Sequence, residues 1–141
     1  MALVNESIRF NKVSAIKLAI GIIILLNKSV NTGITAPTAQ PISHIAAAIA
    51  AAAADSDLFI CEGMYGEDEM LPKARENRHM LFSEAARLAA EAGGVKELWL
   101  THFSPSLPNP KAYRDVARAI FPNTQVPRDG WVKTLQFAES E

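Results

Sequence analysis

Cysteine is almost missing from this chain: its 141 residues include one, Cys61. No intrachain disulfide can form, and zinc sites built from several cysteines are excluded. The count fits a reducing, cytoplasmic compartment. Net charge is nearly missing as well, since 14 Lys and Arg face 15 Asp and Glu and leave −1. That balance gives no global pull toward nucleic acid or anionic lipid, though a local basic patch is compatible with it. A membrane-spanning run is also lacking. The apolar stretch LAIGIIILL at 18–26, preceded by Lys12 and Lys17, falls short of the ~20 residues a spanning helix needs. It has the length of a signal-peptide core, but no A-x-A cleavage site follows closely. A buried strand or short core helix, ended by Asn27 and Lys28, is the plainer reading, and no membrane partner is expected. No P-loop, dinucleotide fingerprint, H-E-x-x-H or nucleophile elbow is present.

What is present reads as one ordinary globular domain, with 49% hydrophobic and 21% charged residues. Residues 1–41 form an atypical segment and linker, rich toward its end in Thr, Pro and Gly. Residues 42–141 are patterned. The alanine-rich stretch 45–54 predicts a helix with Ser43 as its N-cap. Leu58-Phe59-Ile60-Cys61, bounded by Asp57 and Glu62, suits a buried parallel strand. A charged loop is expected over 66–78. A helix follows over 81–92, with Leu81, Ala85, Leu88 and Ala92 on one face and Gly93-Gly94 as its stop. Leu98-Trp99-Leu100 is a second buried strand, ending at Thr101-His102. After the rigid loop 104–110, Asn109 and Pro110 open a helix to about Phe121. Residues 124–126 and 131–137 read as strands joined through Asp129-Gly130, a hairpin signal. The order predicts an α/β fold, mostly parallel strands alternating with helices, closed by a C-terminal hairpin.

Ligands of open α/β sheets gather outside the carboxyl ends of strands. Glu62 follows the first buried strand and His102 the second, so neighbouring strands would bring the two together. A carboxylate directly after a buried strand needs a partner or solvent; Lys73, Arg75 or Arg78 could pair with Glu62 instead. A lone histidine at a strand end is more often a hydrogen-bonded packing residue than a metal ligand. Cys61 reads as a small buried hydrophobe. His79, just before a helix, suits either a phosphate site or a solvated helix start, and His44 has only the latter reading. Trp99 and Trp131 look like core or hairpin residues, with no base-stacking platform in view.

Three segments together resemble one family: DLFICEGMY at 57–65, RHMLFSEAARLA at 78–89, and LWLTHFS at 98–104 followed by ARAIFPNT at 117–124. In this order and spacing they are similar to the C-terminal portion of ribonuclease Z and its metallo-β-lactamase-fold relatives, over about residues 55–137. The resemblance implies a partial αββα sandwich, zinc, and hydrolysis of phosphodiesters, with RNA such as precursor tRNA or a small phosphodiester as substrate. It also implies that His102 matches the last metal-binding histidine, His79 a histidine near the reacting phosphate, and Glu62 the glutamate of a histidine-glutamate-alanine-threonine motif. This chain departs from the pattern in several places. Cys61 stands in place of that motif's histidine, and Met80 and Leu81 replace a serine and a threonine. The H-x-H-x-D-H metal motif is absent. Pro37, in Ala36-Pro37-Thr38, falls where a bridging aspartate is expected.

The implied function is therefore a metal-dependent hydrolase of ribonuclease Z type, present as a partial chain that is inactive alone, working as a homo-oligomer or with a partner chain. The alternative is a non-catalytic binding or dimerisation module derived from the same fold. A third reading is a small α/β domain with an N-terminal export or membrane segment.

Overall fold

The computed structural model describes residues 18–21 and 41–135, with residues 18–21 and 41–45 described by backbone alone. Pro37, the rest of the 18–26 run and residues 136–137 lie outside the described residues, as does the side chain of His44. Four parallel strands form one sheet in sequence order: β1 (Leu18–Gly21), β2 (Leu58–Glu62), β3 (Leu98–Thr101) and β4 (Thr124–Gln125). Helix α1 (Pro41–Ala53) connects β1 to β2, α3 (Phe82–Ala92) lies between β2 and β3, and α4 (Arg114–Arg118) precedes β4. Each crossover moves one strand along in the same direction. Right-handed crossovers of that kind place their helices on one face of the sheet.

The core sits between that face and the helices. Phe59 and Cys61 from β2, Leu98 and Leu100 from β3, Phe82, Ala85, Ala86 and Ala89 from α3, and Ala117 from α4 form one buried cluster. Strand alternation explains the choice: Phe59 is in register with Leu98 and Cys61 with Leu100, while Ile60 opposite Trp99 turns to the other face. Alanines at 85, 86 and 89 make up half of the buried residues of α3, and Gly94 shows how tight the exit of that helix is. Its φ is +68°, and a Cβ there would lie 2.0 Å from the Asp55 carboxylate.

The expected α/β class and the parallel β2–β3 pair are observed, and four expectations are corrected. Residues 66–78 are not a loop: a 3-10 turn (Asp68–Met70) leads into α2 (Leu71–Asn77). One side of α2 is buried through Ala74, which packs with Met64, Tyr65 and Leu81 in a second small core. Ser43 lies inside α1, which starts at Pro41. The expected helix from Pro110 to about Phe121 is a 3-10 turn (Pro110–Tyr113) followed by the short α4. The hairpin does not form among residues 124–135. Gly130 does turn with φ +79°, and Trp131 N–H donates to Arg128 C=O at 3.1 Å. Residues 131–135 nevertheless join no ladder. Side chains hold them instead, with the Trp131 ring 5.7 Å from the Trp99 ring and Lys133 paired with Glu97.

Candidate active site

The carboxyl ends of β2 and β3 lie side by side because Glu62 is in register with Thr101. The ladder runs one step further, where Gly63 N–H donates to Thr101 C=O at 2.9 Å. At that point β3 ends abruptly. His102 takes the left-handed conformation, with φ +59°. A non-glycine residue there costs of order 1–3 kcal/mol and persists only when its surroundings hold it. In this protein, the observed partner is Glu62: His102 Nδ1 lies 3.0 Å from Glu62 Oε2.

The third member comes from a distant segment. Helix α2 ends at Arg78, left-handed with φ +60°, and His79 N–H closes back onto Ala74 C=O at 2.8 Å. The chain then runs beside the extension of β2, where Met64 N–H donates to Met80 C=O at 2.9 Å and Tyr65 bridges Leu81 in parallel. This track delivers His79 Nδ1 to 3.1 Å from the same Glu62 oxygen. It also aims Met80 N–H at Glu62 Oε1, at 2.9 Å. Next to it, Glu84 accepts Leu81 N–H at 3.0 Å, pinning the start of α3.

Burial grades across the group. The Glu62 side chain is 2% exposed, His79 20% and His102 44%. The imidazole rings stand edge to face, 5.2 Å between centroids. Donor atoms from the three side chains all fall within 4.8 Å of one another, and this is the one such group of three among the described residues. An oxygen anchored deep in the fold thus holds two imidazoles that reach the surface. Such a set can bind a borderline transition metal, move a proton, or contact an anion.

All three nominated residues are therefore brought together. The cations weighed as partners for Glu62 lie elsewhere in part: Arg75 pairs with Glu84, and Lys73 sits 5.9 Å above the Tyr65 ring. Cys61 is buried in the core and takes no part. Sequence reasoning missed the Met80 backbone N–H, because no side-chain pattern marks it. Its only signal is that Glu62, once buried, needs more than one donor. Trp131, read as a core or hairpin residue, is 48% exposed.

No protein-family profile matches the sequence. Individual proteins do. The chain is 58% identical over 84 residues to the ribonuclease Z of Clostridium kluyveri, covering 60% of this chain and 27% of that protein. It is 57% identical over 86 residues to the ribonuclease Z of Lachnoclostridium phytofermentans, covering 61% and 28%. It is 47% identical over 114 residues to the ribonuclease Z of Clostridioides difficile, covering 81% and 35%. The chain is ribonuclease Z-like over the aligned stretch, and that stretch spans about a third or less of the length of these relatives.

Proposed function

We propose that this ribonuclease Z-like chain carries one part of the active centre of a zinc-dependent phosphodiester hydrolase of the tRNA 3′-processing kind, and that the 141-residue chain does not catalyse alone. The observation that carries this reading is the convergence of Glu62, His79 and His102 at the ends of two parallel strands. His102, the most exposed of the three, acts as a metal ligand. His79 contacts the reacting phosphate, and Glu62 holds both from behind.

The donor chemistry fits zinc, which imidazole nitrogen and carboxylate oxygen bind well. It fits incompletely, because a catalytic zinc takes about three protein ligands and a two-metal centre also needs a bridging group. Those donors come from outside the described residues or from a partner chain. When bound, zinc polarises a phosphoryl oxygen and supplies an activated water. The one-sided parallel sheet serves as one sheet-and-helix half of an αββα sandwich. RNA is the substrate class in this reading, and the setting is cytoplasmic; among the described residues no helix is long and apolar enough to cross a membrane.

Elemental analysis of the purified chain tests this. Zinc well below one equivalent is expected, lost altogether in His102→Ala, with no cleavage of precursor tRNA. Cleavage should appear on adding a chain that carries an H-x-H-x-D-H motif. Two firmly held zinc ions and hydrolysis by the chain alone would overturn the partial-centre reading. Zinc affinity unchanged in His102→Ala would remove His102 as a ligand. A second reading, a non-catalytic association module, is favoured by one observation: Trp131 and Val132 are 48% and 63% exposed.

A further inference from the structure

Helix α2 closes on a residue that its backbone does not favour. Arg78 ends it at φ 60° and ψ 43°, with its N–H returning to Ala74 and Arg75 C=O. Glycine is the usual residue in that left-handed place, because a Cβ crowds the backbone there. Among the described residues, the non-glycine positions with positive φ are Asp55, Arg78 and His102. Asp55 precedes β2, at the amino end of the sheet. Arg78 and His102 both adjoin the candidate site. The strain at His102 has its hold in Glu62, 3.0 Å away. The Arg78 side chain has no such hold: it is exposed, and its guanidinium makes no ion pair or hydrogen bond among the described residues.

The other cations of the 66–78 stretch are engaged. Arg75 pairs with Glu84, and Lys73 Nζ stands 5.9 Å from the centre of the Tyr65 ring. Arg78 keeps an uncommitted head group directly before His79, whose Nδ1 lies 3.1 Å from Glu62 Oε2. A cation at a helix C-terminus gains a little from the helix dipole, but solvent and salt screen that gain at an exposed position. Backbone strain that folding does not need, next to a candidate site, is a pointer to function.

We infer that Arg78 is a substrate-binding residue, whose guanidinium takes the phosphate oxygens of an RNA backbone beside the phosphate that His79 contacts. A guanidinium is planar, always charged and weakly hydrated, and it offers paired N–H donors that match a phosphate. The chain carries a net charge of −1, so its hold on RNA has to come from local contacts of this kind. The inference rests on the function proposed above for the phosphate at His79; the contact made by Arg78 is tested separately.

The test is fluorescence anisotropy of a labelled oligouridine with the purified chain over a range of KCl concentrations, beside urea unfolding of the same variants. Arg78→Gly relieves the backbone and removes the cation, so stability and binding should move in opposite directions. Its urea midpoint should rise. Its affinity should fall about 5–10-fold at ~50 mM salt, and its salt slope should become shallower by about 0.7, the share of one phosphate on a single strand. Arg78→Lys keeps both charge and strain, so its slope should match the wild type and its midpoint should not rise. The imidazole NMR resonances of His79 and His102 should shift as oligouridine is added. No binding by the wild type, no such shift, or an unchanged slope in Arg78→Gly would overturn the inference. A lower urea midpoint in Arg78→Gly would also overturn it, by making Arg78 a structural cap. Displacement of the oligouridine by inorganic phosphate at equal ionic strength would assign the contact to a free anion instead. His79→Ala separates this inference from the proposed function. Affinity that responds to Arg78→Gly and not to His79→Ala upholds Arg78 and defeats the phosphate role of His79. The reverse pattern defeats Arg78 and leaves that role standing.

Discussion

Cys61 lies one residue before Glu62 and differs from it in every consequence of burial. Its thiol is 1% exposed within the main core. Loss of solvent raises its pKa, the neighbouring Glu62 charge raises it further, and a backbone hydrogen bond offsets part of this; the result is about 12, from 9.0. The thiolate is the nucleophile and the metal-binding form, so Cys61 stays inert in the folded chain. Disulfide-exchange reagents should label it only after denaturation, and rapid labelling of the native protein would contradict the burial. The linkage has a definite sign. A folded pKa above the unfolded one means stability that is whole below pH 9.0 and lost as pH rises from there toward about 12. Urea midpoints should therefore fall above pH 9.0 in the wild type, and fall less in Cys61→Ala.

Between β2 and the segment around His79, position 63 has no room for a side chain. A Cβ on Gly63 would lie 2.9 Å from Phe82 Cδ1 and 3.4 Å from Leu100 Cδ2. Phe82 is fully buried at the start of α3 and cannot swing aside. Gly63→Ala should cost about 1–3 kcal/mol, the usual range for overpacking, read as a lower urea midpoint. It should also disturb the His79 and His102 resonances, since Phe82 N–H is tied to Tyr65 C=O at 2.9 Å on the same track. A midpoint within a few tenths of a kcal/mol of wild type would mean that α3 can shift freely. This packing separates what the sequence disclosed from what it hid. β2 and β3 were legible as short continuous apolar runs bounded by polar residues, and α3 by the helical period of its apolar positions. The neighbourhood of Glu62 and His102 followed from strand ends alone. α2 was hidden because its seven residues, LPKAREN, carry no apolar period, and burial of Ala74 is invisible in a charged stretch. The approach of His79 to Glu62 was hidden for a different reason. It depends on backbone pairing of Met64 and Tyr65 with Met80 and Leu81, and side-chain patterns do not report such pairing; only the resemblance pointed there.

For the whole molecule, the direction of the crossovers decides what remains open. With α1, α3 and α4 on one face, the face carrying Ile60 and Trp99 receives no helix from the described residues. The segment after Gly130 covers it only at the β4 edge. There an open groove of about 240 Å³ is lined by Glu97, Trp99, Gln125, Trp131, Val132 and Lys133. The Glu97–Lys133 pair cancels charge beside two aromatic rings, so the groove favours neutral apolar surface over phosphate. An exposed apolar patch of this kind favours association. The chain should dimerise as concentration rises, seen by light scattering and by a blue shift in tryptophan emission. Trp131→Ser should weaken this dimer about 30-fold, the equivalent of a central aromatic contact worth ~2 kcal/mol. A monomer at every concentration, with Trp131 emission unchanged, would show that this face is not where chains meet. A dimer indifferent to Trp131→Ser would place the contact on another surface. If association does depend on Trp131, the comparison that matters is zinc content before and after dimerisation. A rise on dimerisation ties the face to completion of the proposed metal centre. No rise leaves association and metal binding as separate properties of the same chain.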